Sequence, residues 1–202
     1  MTPPCEVRKT RLQKMHQVET ILKAMNPAAK RRKTKLGAVD ISPKTWTKGR
    51  LLGRGSFGSV YQGSSSDGFV FAAKKVSLLD QESPGRSWEI EFLSWLEHKN
   101  IIQYYGSFEY GSNLYMCMEH APNGSIRRLY QRSNLSYPRV SKYTKEILLG
   151  LNYLHGHNVV HRDIKCANIL VDAYGSAKLA DFGLAKITTK MNELQSLQGT
   201  AL

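Results

Sequence analysis

The apolar and polar positions of the chain change their period along its length. Near the N-terminus, Leu12, Met15, Val18, Leu22 and Met25 recur at helical spacing, and Asn26-Pro27 stops the pattern. From Trp46 the segments become strand-like. Trp46–Leu52 leads into a Gly-rich turn, Ser59-Val60-Tyr61 follows, a polar turn covers Ser64–Gly68, and Phe69–Val76 comes next. The order predicted is strand, Gly-rich turn, strand, turn, strand. Arg86–Leu96 is helix-permissive, with Ile90, Leu93 and Leu96 as its apolar stripe, and Ser83-Pro84-Gly85 interrupts its approach. Asn113–Met118 reads as a strand that breaks at Glu119–Gly124. Val140, Ile147, Leu148, Leu151 and Leu154 predict a helix over 138–155, and Ile169-Leu170-Val171 predicts a short strand.

Charge divides the chain at the same place. Its 202 residues carry a net charge of +13, and residues 1–45 hold 11 Lys or Arg against three acids, Glu6, Glu19 and Asp40. The excess is mostly a property of this segment, which is expected to be a basic, disordered tail ahead of a domain at 46–202. Its densest run, Lys30–Lys35, suits nuclear import receptors, other acidic partners, phosphates or anionic lipid, or else a solvated arm. The helical pattern upstream suits docking of a calmodulin-like kind. Hydrophobic residues make up 41%, enough for a core. No apolar run reaches the roughly 18 residues of a membrane span, and the first residues lack the apolar stretch of a secretory signal. Three unpatterned cysteines, Cys5, Cys117 and Cys166, exclude a disulfide framework and a Cys-rich zinc site and fit a reducing compartment. His155, His157 and His161 straddle a helix end and a loop, with no further ligand at metal spacing.

Four motifs carry chemistry. Gly53-Arg54-Gly55-Ser56-Phe57-Gly58 matches a phosphate-approaching loop. In a dinucleotide-binding fold this pattern opens a helix, but Ser59-Val60-Tyr61 favours a strand and a hairpin. Ala72-Ala73-Lys74 lies in the following strand. His161-Arg162-Asp163-Ile164-Lys165-Cys166-Ala167-Asn168 precedes a short strand, and Asp181-Phe182-Gly183 closes the set.

In this order the four resemble the signature set of protein kinases. Leu51–Tyr61, Lys75–Asp80 and Leu96–Ile101 resemble mitogen-activated protein kinase kinase kinases of the MEKK-like, plant-like kind. The resemblance covers 46–202 and implies an α+β, protein kinase-like fold. Its N-lobe, 46–120, is an antiparallel five-stranded sheet with one helix. Its C-lobe, 121–202, is mainly helical and incomplete.

The resemblance implies ATP and Mg²⁺ as cofactors and a role for each residue. Leu52, Gly53, Gly55, Ser56, Phe57, Gly58, Val60 and Ala72 would line the nucleotide site from above. Lys74 would pair with the α- and β-phosphates. Lys75 competes for that role, but strand alternation puts Lys74 on the face of Ala72. Met118 would stand at the back of the adenine pocket, the Glu119 and Ala121 backbones would bond the adenine edge, and Leu170 would close the pocket from below. Asp163 would take the acceptor proton and Lys165 would neutralise the γ-phosphate, as in serine/threonine kinases. Asn168 and Asp181 would hold two Mg²⁺ ions. Arg162 would pair with a phosphorylated Ser or Thr between 188 and 200.

Two features depart from the family pattern. The separation from Lys74 to Glu89, the ion-pair partner it implies (Glu91 is the alternative), is short. The sequence also stops at Gln198–Leu202, before the Ala-Pro-Glu motif. A MAP kinase kinase is the implied protein substrate, in a cytoplasmic or nuclear setting, with no specific nucleic acid. Poor phosphotransfer is expected, because part of the peptide platform is absent. The alternatives are a catalytically impaired fragment that binds nucleotide or partners only, and a fragment that cannot fold alone.

Overall fold

The structure, a computed structural model, describes residues 45–55, 58–78 and 93–187. All of them lie in the unit Lys33–Leu202. Ser56, Phe57, Glu89 and Glu91, the segment 1–44 with its basic run and helical pattern, and the stretch 188–202 lie outside the described residues.

Five strands form the first sheet: β1 (Trp46–Gly55), β2 (Gly58–Ser65), β3 (Val70–Ser77), β4 (Tyr104–Tyr110) and β5 (Asn113–Glu119). Their order is β1-β2-β3-β5-β4, and every neighbouring pair is antiparallel, as expected. Directly opposed residues share a face. Val60, Lys74 and Met116 align across three strands, and so do Gln62, Ala72 and Met118. The alternate residues Phe71, Ala73, Tyr115 and Cys117 form a buried cluster on the other face. Trp46 seals that face, with ring centroids 5.2 Å from Tyr115 and 5.5 Å from Phe108. Apolar burial thus fixes the outer face, and the register then delivers Lys74 to the inner one. Lys75 falls on the outer face and is half-buried, so it is less solvated than a free surface charge.

Helices and short strands follow: α1 (Ile126–Arg132), α2 (Tyr137–Gly156), β6 (Val159–Val160), β7 (Ile169–Val171), β8 (Ala177–Leu179) and β9 (Lys186–Ile187). Ser125 caps α1 by accepting from the Arg128 N–H, and Pro138 sits in the first turn of α2. The helix expected over 138–155 is present as α2. It buries Tyr143, Gly150 and Leu154, whereas Val140 and Leu148 are exposed.

The loop before β4 is bonded to β8 like an extra strand. Ile102 N–H donates to the Leu179 carbonyl, and Leu179 N–H donates to the Asn100 carbonyl, each at 2.9 Å. Gly150 lets α2 lie against this junction. A β-carbon there would sit 2.9 Å from the Asn100 oxygen and 3.0 Å from Leu179 Cδ1. Gly150→Ala is therefore expected to cost about 1–3 kcal/mol by overpacking. A thermal melt checks this, and an unchanged or raised midpoint would contradict it.

Candidate active site

The cluster is built by the loop between β6 and β7 and the loop after β8. Asp163 is the hub. Lys165 Nζ lies 3.0 Å from Asp163 Oδ2, and Asn168 Nδ2 donates to the same oxygen at 2.8 Å and to the Asp163 carbonyl at 3.0 Å. These bonds fix the orientation of the Asp163 carboxylate. With its amide nitrogen engaged, Asn168 has its side-chain oxygen left for another partner. Asn168 is tied in turn by its carbonyl, which accepts from Ala180 N–H at 2.9 Å.

Lys74 reaches this cluster from the sheet. Its Nζ lies 3.4 Å from Asp181 Oδ1, and its side chain is 9% exposed against 39% for Asp181. Asp181 has φ 62° and Arg162 has φ 66°. Such left-handed backbone costs a non-glycine residue of the order of 1–2 kcal/mol, so surrounding contacts must hold it. For Arg162 the contact is a 2.6 Å bond from Nε to the Leu184 carbonyl. For Asp181 it is the burial of its neighbour Phe182, whose ring lies 4.7 Å from His161.

His161 is 1% exposed, and its Nε2 bonds the Ala180 carbonyl at 3.1 Å. Burial pushes its pKa below the ordinary 6.5, although that bond, Asp163 and Asp181 act in the other direction. A histidine held neutral by the fold contributes its full stability above the unfolded value near 6.5. That contribution shrinks as pH falls toward the lower folded value. His98 and His120 are displaced in the same direction, in each case mainly by burial. The melting midpoint is therefore expected to drop when pH falls from 7 through 6. A midpoint that rises over that interval would contradict the assignment.

The nucleotide-side residues gather around the inner face. Val60, Ala72, Lys74 and Met118 share it by register. Leu170 lies on β7, bridged to Ser125 and paired with Lys178. A β-carbon at Gly53 or Gly55 would meet nothing within 4 Å, so the space beside the loop is open. Gly58 is different: its φ is +132°, and a β-carbon would collide with the Lys75 carbonyl at 2.2 Å. Only glycine fits there. The Glu119 N–H is bonded to Gln103, as is one carboxylate oxygen, while Ala121 accepts from Gly124 N–H.

Sequence reasoning missed Lys178. It is buried on β8, with Nζ 2.9 Å from Glu119 Oε1 and 3.9 Å from Asp172 Oδ2. Glu119 thus acts through its side chain as well as its backbone, joining the end of β5 to β8. Asp172 Oδ1 accepts from the N–H groups of Tyr174 and Ser176, and the Asp172 carbonyl accepts from Asn123 Nδ2. The one signal in the sequence is a lone charge inside Ala177-Lys178-Leu179-Ala180.

Oxygen donors of the right kind for a hard cation are present in Asn168 and Asp181. Among the described residues no three His, Cys, Asp or Glu side chains gather for a metal, the three histidines included. The pair therefore suits an ion that takes its remaining ligands from a phosphate chain and water. Cys117 is no candidate nucleophile, because burial pushes its thiol up to about 12.

This spatial set agrees with what the chain resembles. The protein kinase domain family matches residues 46–202. The chain belongs to that family. Mitogen-activated protein kinase kinase kinase 1 of Arabidopsis thaliana is 56% identical over 162 residues, covering 77% of this chain and 26% of the relative. Mitogen-activated protein kinase kinase kinase 1b of Physcomitrium patens is 47% identical over 163 residues, covering 78% and 21%. The Arabidopsis protein named YODA, of the same kinase class, is 43% identical over 185 residues, covering 88% and 21%. The chain thus spans roughly a fifth to a quarter of the length of these relatives. Among the described residues, no helix of this kinase-family chain is long and apolar enough to cross a membrane.

Proposed function

We propose that the chain carries the catalytic core of an ATP-dependent serine/threonine protein kinase of the MAP kinase cascade, with a MAP kinase kinase as its protein substrate. The observation that carries this reading is the convergence of Lys74, Asp163, Lys165, Asn168 and Asp181 from the sheet and two loops. Phosphoryl transfer depends mainly on positioning and charge neutralisation. Lys74 binds the α- and β-phosphates from the buried inner face. The open side of the Gly53–Gly58 loop lets backbone N–H groups approach the phosphates. The Glu119 carbonyl and Ala121 N–H take the adenine edge, between Ala72 above and Leu170 below. Asp163 orients the acceptor hydroxyl and takes its proton, and Lys165 holds the γ-phosphate charge. Asn168 and Asp181 hold Mg²⁺, which when bound offsets the negative charge of the phosphate chain.

The test pairs binding with turnover. Mg-ATP should raise the melting midpoint, and radiolabel from ATP should pass to a MAP kinase kinase and be lost in Asp163→Asn. Failure of Mg-ATP to bind overturns the reading. Binding without transfer leaves the alternative of a nucleotide-binding module. For location we propose the cytoplasm, with nuclear entry driven by the basic run at 30–35. Alanine at those basic positions should abolish nuclear accumulation, and an unchanged distribution would overturn that part.

A further inference from the structure

We propose that Arg127 and Arg128 form a cationic wall beside the phosphotransfer site and select an acceptor segment with acidic residues near its Ser or Thr. The proposal rests on the kinase reading above and adds the substrate class. Three observations carry it.

The first is position. Arg127 N–H donates to the Cys166 carbonyl at 2.9 Å, so the first turn of α1 abuts the loop that holds Asp163 and Lys165. Cys166 is three residues from Asp163, which bounds their Cα separation at about 11 Å. An extended acceptor rising about 3.3 Å per residue covers that distance in three or four residues. Arg128 follows in the same turn, its N–H donating to Ser125 Oγ. A β-carbon on Gly124 would lie 3.4 Å from its Cδ, so its stem runs over the residue whose carbonyl accepts from Val171.

The second is charge. Residues 120–145 contain six Lys or Arg and no Asp or Glu. All six (Arg127, Arg128, Arg132, Arg139, Lys142 and Lys145) are exposed. Arg132 follows Arg128 by four residues and continues its face of α1.

The third is that nearby acids are committed elsewhere. Glu146 accepts from Ala177 N–H and lies near Lys142, Asp172 serves Tyr174, Ser176 and Lys178, and Glu119 serves Lys178. Among the described residues, none forms an ion pair with Arg127, Arg128 or Arg132. Two forked guanidinium groups facing solvent beside a catalytic carboxylate attract a carboxylate-bearing peptide and repel a basic one.

The test uses the full chain with Mg-ADP and two fluorescent Ser-containing peptides, one with Glu at positions three and four from the serine on either side, the other with Lys there. Anisotropy should give the acidic peptide roughly tenfold tighter binding at low salt. Arg127→Glu with Arg128→Glu should invert the preference, while Arg127→Lys with Arg128→Lys should keep it in sign. Thermal melts of each variant establish that it is folded. A preference unchanged by the Glu substitutions overturns the proposal. So does a preference that disappears only when the basic residues at 30–35 are replaced by Ala, since the tail would then be its source. Single-stranded RNA that binds more tightly than the acidic peptide and loses affinity in the Glu variant also overturns it, by making the wall a nucleic-acid surface. The nucleotide titration is separate. If Mg-ADP fails to bind but the peptide preference inverts as stated, the kinase reading falls and the cationic wall stands.

Discussion

Lys74→Met is expected to weaken Mg-ATP binding about 10- to 100-fold, while Lys75→Met changes it less than about twofold. The two lysines are adjacent and identical in type, so the difference comes only from the face each occupies. Lys74 lies opposite Val60 and Met116, is buried, and points its Nζ to within 3.4 Å of Asp181. A charge-assisted hydrogen bond from such a group is worth about 1.5–3 kcal/mol, which converts to the stated range. Methionine fills similar volume without the charge, so the strand should keep its packing. Lys75 lies opposite Ser59 and Tyr115, on the side of the aromatic cluster. A calorimetric titration of the two variants decides the matter. Equal losses would mean that strand register does not set the phosphate contact.

The same comparison marks what was legible in the sequence. Alternation over Phe69–Val76 was enough to separate Lys74 from Lys75, because burial of Phe71 and Ala73 on one face leaves the register no freedom. The helix over 138–155 was legible from the helical spacing of its apolar residues, but its buried face was not: Val140 and Leu148 of that pattern are exposed, and Tyr143 and Gly150 are buried with Leu154. The loop letters Asp163, Lys165 and Asn168 were legible as a motif, and the structure adds the bonds that converge on Asp163. Gly150 and Asn100 were not legible. Their close approach joins a helix to a loop far away in sequence, and no local period records it. Strands β6 and β9, of two residues each, are too short to show alternation, and their pairing joins Val159-Val160 to Lys186-Ile187 far along the chain. Lys178 was missed because one charge in a short strand ordinarily reads as a solvent-facing position. It becomes meaningful only when Glu119 and Asp172 arrive from elsewhere.

Lys178→Met is expected to destabilise the fold by about 3 kcal/mol, the low end of the range for removing one partner of a buried ion pair. The low end applies because the side chains of Glu119 and Asp172 keep 19% and 12% exposure, so water recovers part of the lost solvation. Asp172 also retains its two backbone N–H donors. Glu119 keeps only the Gln103 N–H at 3.2 Å, and most of the cost should fall on it. For a chain of this size about 3 kcal/mol lowers the melting midpoint by roughly 6–12 °C. Because Glu119 lies where β5 passes into the segment proposed to hold adenine, nucleotide affinity should fall together with stability. The diagnostic is the second variant. Neutralising the orphaned partner in Lys178→Met with Glu119→Gln should recover part of the lost stability, leaving a favourable coupling of the order of 1 kcal/mol. Lysine's apolar stem could also matter through packing alone, and methionine preserves most of that contact. Additive losses in the double variant would therefore show that the ion pair with Glu119 contributes nothing.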